Sequence, residues 1–337
     1  MNVLVTGGAG YIGTHILIEL LHQNHTPIVV DNFCNSKPEA LKRVEKITNK
    51  PVTSYQIDCA DKVALSKVFE ENKIDAVIHL AGLKAVGESV QKPLLYYRNN
   101  IDTTLSVCEV MQEHGVTQLI FSSSATVYGA PEELPLKETS RVGVGITNPY
   151  GQTKFMLEQV LIDLAASDPS WQITLLRYFN PVGADASGLI GEDPSDIPNN
   201  ILPYISQVAV GKLDELKVFG DDYDTSDGTG VRDYIHVADL ARGHIAALAR
   251  PPQSRKTAIY NLSTGVGTSV LELLQAFELA CNKKLPHKVV DRRPGDIAAC
   301  YADATKADQE LGWKAEKTIA EACADAWRWQ SANPNGL

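Results

Sequence analysis

No apolar run in the 337 residues approaches the ~18 consecutive positions that a membrane-spanning helix needs. Positive charge is in deficit. The 31 Lys and Arg face 41 Asp and Glu, a net charge of −10, which excludes a general surface for nucleic acid or anionic membrane but not a local anion site. The six cysteines, Cys34, Cys59, Cys108, Cys281, Cys300 and Cys323, are scattered and include no C-x-x-C pair. That spacing predicts neither a metal site nor a disulfide framework, and reduced thiols in a cytoplasmic protein are the simplest reading. The first residues lack the basic, apolar and small-residue regions of a secretory leader. No internal repeat and no low-complexity segment interrupts the chain.

What is present is ordinary for a globular protein: 44% hydrophobic and 21% charged residues. The length suggests about two structural units, each large enough for its own core. Short β-rich runs at 3–6, 28–31, 52–56, 76–80, 119–122 and 173–176 alternate with helical periodicity at 12–22, 63–69, 104–114 and 150–165. This alternation predicts an α/β fold with a Rossmann-type, doubly wound parallel sheet, and the continuous apolar first strands fit burial on both faces. After about residue 180 the texture changes. Gly, Pro, Asp and Asn crowd 181–203 and 219–230, and shorter helix and strand candidates follow at 238–250, 258–262 and 270–281. The expected division is a nucleotide domain over 1–180, with a return of the chain at 236–263, and a smaller C-terminal α/β domain over 181–337.

Gly7-Gly8-Ala9-Gly10-Tyr11-Ile12-Gly13 stands between the first strand and the first helix. Gly7, Gly10 and Gly13 let the backbone turn sharply and approach a phosphate, while the helix start offers free N–H groups and a positive dipole end. Asp31 ends the next strand 18 residues after Gly13, near the spacing of an acid that accepts from an adenosine ribose. A carboxylate there repels a 2′-phosphate, so the expected cofactor is NAD rather than NADP. Asp58, after the third strand, is either a second nucleotide contact or a turn residue.

Tyr150 and Lys154 are four apart on one face of a predicted helix. An ammonium beside a phenol lowers its pKa and makes the tyrosine a usable base. Ser122-Ser123-Ser124 ends the fifth strand, at the carboxyl edge where such sheets bind ligands, which puts Ser124 in position to meet a substrate hydroxyl. Ala125 and Thr126 follow, with no acid to assist elimination of water. The set fits oxidation and re-reduction at one carbon better than a dehydratase or decarboxylase. A catalytically dead NAD-binding scaffold would not need Ser124, Tyr150 and Lys154 together.

With these residues in view, the chain resembles the extended short-chain dehydrogenase/reductase superfamily, and most closely its 4-epimerases acting on UDP-hexoses. The resemblance runs over essentially the whole length. It is most specific at 81–89, 121–129, Leu176-Arg177-Tyr178-Phe179-Asn180-Pro181, Ile197-Pro198-Asn199-Asn200 and Gly230-Val231-Arg232-Asp233-Tyr234-Ile235-His236. It implies retained NAD held through Tyr11, Ile12, Asp31, Asn32, Phe33, Cys34, Asn35, Ser36, Asp58, Cys59, Leu80, Ala81, Gly82, Leu83, Lys84, Asn99, Ser124, Tyr150, Lys154 and Phe179. It makes Tyr150 the base for the sugar 4-hydroxyl, Ser124 its relay and Lys154 its tuning cation. Arg232 and Arg293 become the diphosphate forks, Asn180 and Asn200 amide donors next to Ile201, Asp296 a ribose acceptor, and Lys217, Val218 and Phe219 the segment around uracil. Cys300 stands where some relatives carry tyrosine against the sugar's C2 substituent. The small residue implies that UDP-GlcNAc and UDP-GalNAc are accepted beside UDP-glucose and UDP-galactose. The resemblance also implies a homodimer formed by the helices near 100–114 and 150–165. His79 is expected to be a packed strand residue, and no metal, nucleic acid or membrane partner is expected.

Overall fold

The computed structural model describes residues 1–194, 197–252, 257–293 and 295–337. Pro294, within the matching stretch 293–300, and 253–256, within the expected chain return, lie outside them. The first part of the chain runs β1 (Asn2–Thr6), α1 (Tyr11–His22), β2 (Thr26–Val30), α2 (Pro38–Thr48), β3 (Thr53–Tyr55), α3 (Lys62–Glu71), β4 (Ala76–His79), α4 (Val86–Gln91), α5 (Pro93–Glu113), β5 (Gln118–Ser124), a 3-10 turn (Ala125–Tyr128), α6 (Pro149–Ser167) and β6 (Gln172–Tyr178). The rest runs β7 (Asn180–Val182), α7 (Ile201–Ala209), β8 (Leu216–Phe219), β9 (Val231–Arg232), β10 (Tyr234–His236), α8 (Val237–Ala249), β11 (Ala258–Leu262), β12 (Thr268–Ser269), α9 (Val270–Cys281), β13 (His287–Val290), β14 (Ala299–Cys300), α10 (Thr305–Leu311) and α11 (Ile319–Ala332). No helix among the described residues is long and apolar enough to cross a membrane.

The main sheet has seven strands in the order β11-β6-β5-β4-β1-β2-β3. β1 pairs in parallel with β2 and β4, β2 with β3, and β4 with β5. The order reverses direction at β1, which opens a crevice at the carboxyl ends of β1 and β4, and the candidate glycine turn leaves β1 there. Val3, Leu4, Val5, Ile28, Val29, Val30, Val77 and Ile78 are almost wholly buried, as expected for strands covered on both faces. One core cluster joins Leu4, Ile28, Val77, Leu119 and Phe121 of the sheet to Val107, Met111, Leu157 and Leu161 of α5 and α6.

The chain separates into two compact units. The first comprises Met1–Gly129, Arg141–Arg177 and Ala241–Tyr260; the second comprises Ala130–Ser140, Tyr178–Leu240 and Asn261–Leu337. The second unit therefore begins at Tyr178 and includes a short stretch, 130–140, that the expected division placed in the first. There Leu136 bridges Ala302 in parallel, and Asn261 donates to the Leu136 carbonyl.

The second unit has its own core, in which Leu202 and Ile205 of α7, Leu274 and Phe277 of α9 and Ala322 and Ala326 of α11 pack with Val182 and Tyr234. Capping boxes start two of these helices, Ser269 with Glu272 at α9 and Thr318 with Glu321 at α11. A buried polar knot joins β10 to α11. Ala238 N donates to His236 Nδ1, so the ring carries its proton on Nε2 and offers it to Asp325 at 3.2 Å, while Arg328 donates to the other Asp325 oxygen and Lys317 lies 3.5 Å away.

Burial pushes the Asp325 carboxyl up, but the bond from His236 and the Arg328 and Lys317 cations outweigh it and hold it at about 2. The folded value lies below the ordinary 3.8, so the stabilisation is present above about pH 4 and is lost as the pH falls toward 2. Asp325→Asn is expected to lower stability at pH 7 by about 1.5–3 kcal/mol, the scale of a hydrogen bond to a charged group. The deficit in urea midpoint should start to narrow below about pH 4 and close toward pH 2. A deficit that does not depend on pH would contradict this account.

Candidate functional site

The first half of the site is the turn after β1. Gly7 has φ +68°, and a Cβ there would lie 2.9 Å from the Ala81 backbone nitrogen. A Cβ on Gly13 would lie 2.6 Å from the Gly7 carbonyl oxygen. Helix α1 starts at Gly10 with no side-chain cap and no acid in its first turn, which leaves its positive end open to an anion. These features fit the diphosphate of a dinucleotide.

Asp31 is buried at the end of β2. One of its oxygens accepts from Ala9 N at 3.0 Å, inside the glycine turn; the other accepts from Phe33 N and Ser36 Oγ, both at 2.9 Å. Asn32 donates to Asp58 at 3.2 Å and accepts from Cys34 N, so the 31–36 loop and Asp58 are drawn together. Asn35 completes this loop, and buried Cys59 follows Asp58 with its thiol pushed up by burial. Asp58 also accepts from Ala60 N, so it does serve as a turn residue.

At the end of β4, Leu80 and Ala81 donate their backbone N–H groups to Thr6 Oγ1. His79 lies between Thr6 Oγ1 (2.7 Å) and Thr104 Oγ1 (3.0 Å), and burial with the nearby Lys154 charge lowers it to about 3. It is the neutral, satisfied core histidine that was expected. Gly82 and the exposed Lys84 flank Leu83, whose N–H and carbonyl are both bound by the Asn100 amide (2.8 and 3.0 Å); Asn99 precedes it on α5. Phe179 is buried and belongs to the second unit.

The redox residues meet where β5 ends and α6 begins. Asn148 caps α6 by accepting from Gly151 N, and Pro149 occupies its first turn, which starts the helix one residue before Tyr150. The Ser124 hydroxyl lies close enough to the Tyr150 phenol to favour its ionised form. Lys154 is buried, with its ammonium donating to Ser122 O at 2.6 Å and Ser122 Oγ at 3.2 Å, 6.0 Å from the centre of the Tyr150 ring.

Burial pulls the lysine down to about 8, against the opposing charge of Glu158. Burial also pushes the tyrosine above its ordinary value, with Ser124 working against the shift. The expected lowering of Tyr150 by Lys154 is thus corrected: the ammonium is turned toward Ser122, and desolvation of the phenol prevails.

Glu158, one turn beyond Lys154, was not anticipated. It is wholly buried, accepts two bonds from Arg177 (2.9 and 2.7 Å) and takes a third from Ser123 Oγ. Arg177 also donates to Tyr128 Oη at 3.0 Å. This ion pair ties the residue before Ser124, the 3-10 turn and α6 together. The spacing Tyr150, Lys154, Glu158 along one helix face was its only sequence signal.

In the second unit Cys300 of β14 stands opposite Arg232 of β9. Arg232 donates to Asp296 at 2.9 Å. The Arg293 guanidinium lies 3.8 Å from the Phe219 ring centre. Exposed Lys217 and buried Val218 precede Phe219 on β8, in parallel register with β13. Asn180 N donates to Asp233 O, and Asn200, just before Ile201 at the start of α7, donates its amide to Glu192 at 2.7 Å.

Asp233, also missed, is a buried carboxylate with no cation partner among the described residues. It accepts from Thr264 N and Oγ1, Gly265 N and Ala302 N, and its own N–H donates to Cys300 O. It pins the strand that carries Cys300 from both sides.

A dinucleotide turn on a seven-stranded doubly wound sheet, with Ser, Tyr and Lys at the end of β5, defines an NAD-dependent short-chain dehydrogenase/reductase. The comparisons with known proteins narrow this class. Residues 3–263 match the NAD dependent epimerase/dehydratase family. The chain is 58% identical over 336 residues to the UDP-glucose 4-epimerase of Bacillus subtilis (strain 168), covering 100% of this chain and 98% of that protein. It superposes with a TM-score of 0.97 on the crystal structure of UDP-glucose 4-epimerase from Bifidobacterium longum in complex with NAD+ and UDP, at 58% identity and full coverage of both chains. The UDP-Glc/GlcNAc 4-epimerase of Campylobacter jejuni matches at 34% identity with a TM-score of 0.85, over 98% of this chain and 99% of that one. The chain belongs to the NAD-dependent epimerase/dehydratase family and, within it, to the UDP-glucose 4-epimerases, which are isomerases.

Proposed function

We propose that the protein interconverts UDP-glucose and UDP-galactose at C4, and UDP-GlcNAc and UDP-GalNAc as well, with the first unit holding NAD and the second the UDP-sugar. The observation that carries the reading is the convergence of Ser124, at the end of β5, with Tyr150 and the buried Lys154 of α6, whose ammonium lies 6.0 Å from the Tyr150 ring centre. Bound NAD supplies a hydride acceptor that gives the hydride back. Tyr150 takes the proton of the 4-hydroxyl, Ser124 orients that hydroxyl, and Lys154 contributes positive charge at the ribose. The glycine turn, the 31–36 loop with Asp58 and Cys59, and residues 80–84 with Asn99 hold the dinucleotide.

Exchange of faces requires a firm grip on UDP and a loose one on the hexose. Arg232 and Arg293 suit the diphosphate, since guanidinium forks bind phosphate oxygens in pairs. Asn180, Asn200 and Ile201, Asp296 and the Lys217–Val218–Phe219 strand surround the rest of the nucleotide. Cys300 leaves room beside C2, and the Campylobacter relative's activity on UDP-GlcNAc supports that capacity in the family.

A homodimer through α5 and α6 is supported by the exposed apolar Leu94, Leu105, Met156 and Val160 on these helices. The six free cysteines support a reducing, cytoplasmic setting. The test supplies UDP-galactose, and separately UDP-GalNAc, to the purified protein without added NAD and follows the C4 epimer by chromatography. Both epimers should form. Failure with UDP-galactose ends the proposal, and failure with UDP-GalNAc alone removes its second half.

A further inference from the structure

The Glu158–Arg177 ion pair is sealed in the core, with side chains 0% and 2% exposed. Arg177 donates to both carboxylate oxygens, at 2.9 and 2.7 Å. A buried pair adds little net stability, because removing two charges from water offsets their attraction. Its connections show another use.

On one side, the buried Ser123 donates its hydroxyl to Glu158. Side chains alternate along an extended strand, and Ser124, at φ −146° and ψ 148°, is still extended. Fixing Ser123 on one face therefore turns Ser124 to the other. On the other side, the Ser124 hydroxyl caps the 3-10 turn by accepting from Thr126 N at 3.2 Å. Tyr128 is the last residue of that turn. Its buried hydroxyl accepts from Arg177 at 3.0 Å, and the guanidinium lies 4.8 Å from its ring centre.

The strand before Ser124 and the turn after it are thus both fastened to one ion pair. Glu158 also stands one turn beyond Lys154, whose ammonium holds Ser122. Two successive turns of α6 therefore grip two successive residues of β5, which sets where the end of the strand meets the helix that carries Tyr150.

We propose that Glu158 and Arg177 are positioning residues for the epimerase reaction: through the Ser123 and Tyr128 hydroxyls they hold Ser124 at the angle from which it meets the reacting hydroxyl of the sugar. Sealed from solvent, the pair acts only through its neighbours. The proposal rests on the reading that Ser124 orients the 4-hydroxyl.

Removing one charge would strand the other in the core. The test therefore keeps the pair and removes the two hydroxyls that link it to Ser124, with Ser123→Ala and Tyr128→Phe, singly and together. Each variant is purified with its NAD, and kcat and KM with UDP-galactose, NAD content and Tm are measured. Each single variant should lose about three- to tenfold in kcat and the double variant about ten- to hundredfold, since a displacement of 1 Å in a reacting group costs about a hundredfold. KM and NAD content should stay within about twofold, because ground-state binding is untouched. In a Ser124→Ala background, whose kcat is lowered but measurable, the same substitutions should change kcat by less than about twofold, because the group they position is gone.

An unchanged kcat in either single variant overturns the proposal. So does a loss of equal size with Ser124 present or absent, which is what a general loosening of the fold produces. Ser124→Ala alone separates the two readings. If it leaves kcat at the wild-type value, the assignment of Ser124 fails. If it lowers kcat while the two hydroxyl variants do not, only the role of the ion pair fails.

Discussion

Tyr150→Phe is expected to keep its NAD and to lose about 10²–10⁴-fold in kcat, the usual contribution of a positioned base. The ring is flanked by Ser124 and by the Ser122–Lys154 pair, so a phenyl ring fits without rearrangement and folding should be unaffected. An epimerase takes one proton and returns one, with no net change. The check is kcat with UDP-galactose together with the nucleotide released on denaturation. Wild-type activity in the variant would end the assignment of Tyr150 as base.

Cys300→Tyr is expected to separate the two substrate pairs. The kcat/KM for UDP-GlcNAc and UDP-GalNAc should fall about 10–200-fold, the range that steric discrimination in a pocket delivers. The values for UDP-glucose and UDP-galactose should change by less than about threefold. Burial holds the Cys300 thiol up to about 11, so at neutral pH it is a small neutral group rather than a reactive one.

The position has little freedom to retreat. Asp233 holds the carbonyl of Cys300 and the N–H of Ala302, and is itself anchored by Thr264 and Gly265. An added ring must therefore project into the space beside it. Absence of N-acetylhexosamine turnover in the wild type would refute the idea outright.

The parts of the molecule that could be read in the sequence are those with local causes. The β1, β2, β4 and β5 strands are continuous apolar runs, and the glycine turn, Asp31, Ser124 and the Tyr150–Lys154 pair follow from spacing along single elements. Helix α2 escaped although Ala40, Leu41 and Val44 share a buried face, because Glu39, Lys42, Arg43, Glu45 and Lys46 make most of the remaining segment charged. Helix α5 begins at Pro93, well before the expected 104, because its first turn carries exposed Leu94 and Leu95, which mark no core face.

The remaining gaps are tertiary. Arg177 reaches Glu158 across 19 residues and Thr264 reaches Asp233 across 31. Such partners are chosen by the fold and leave no periodic trace. The direction of the Lys154 ammonium is of the same kind. Its spacing from Tyr150 placed both on one face, while the carbonyl of Ser122, on another element, decided where the charge points.

Asp31 carries a consequence for altering the cofactor. Its two oxygens hold Ala9 of the glycine turn and Phe33 and Ser36 of the next loop, so the carboxylate proposed to select NAD is also the latch of the phosphate turn. Replacing it to admit a 2′-phosphate would release three donors at once. Redesign toward NADP thus begins from a weakened scaffold, and must supply new acceptors for Ala9, Phe33 and Ser36 before the added positive charge can be of use.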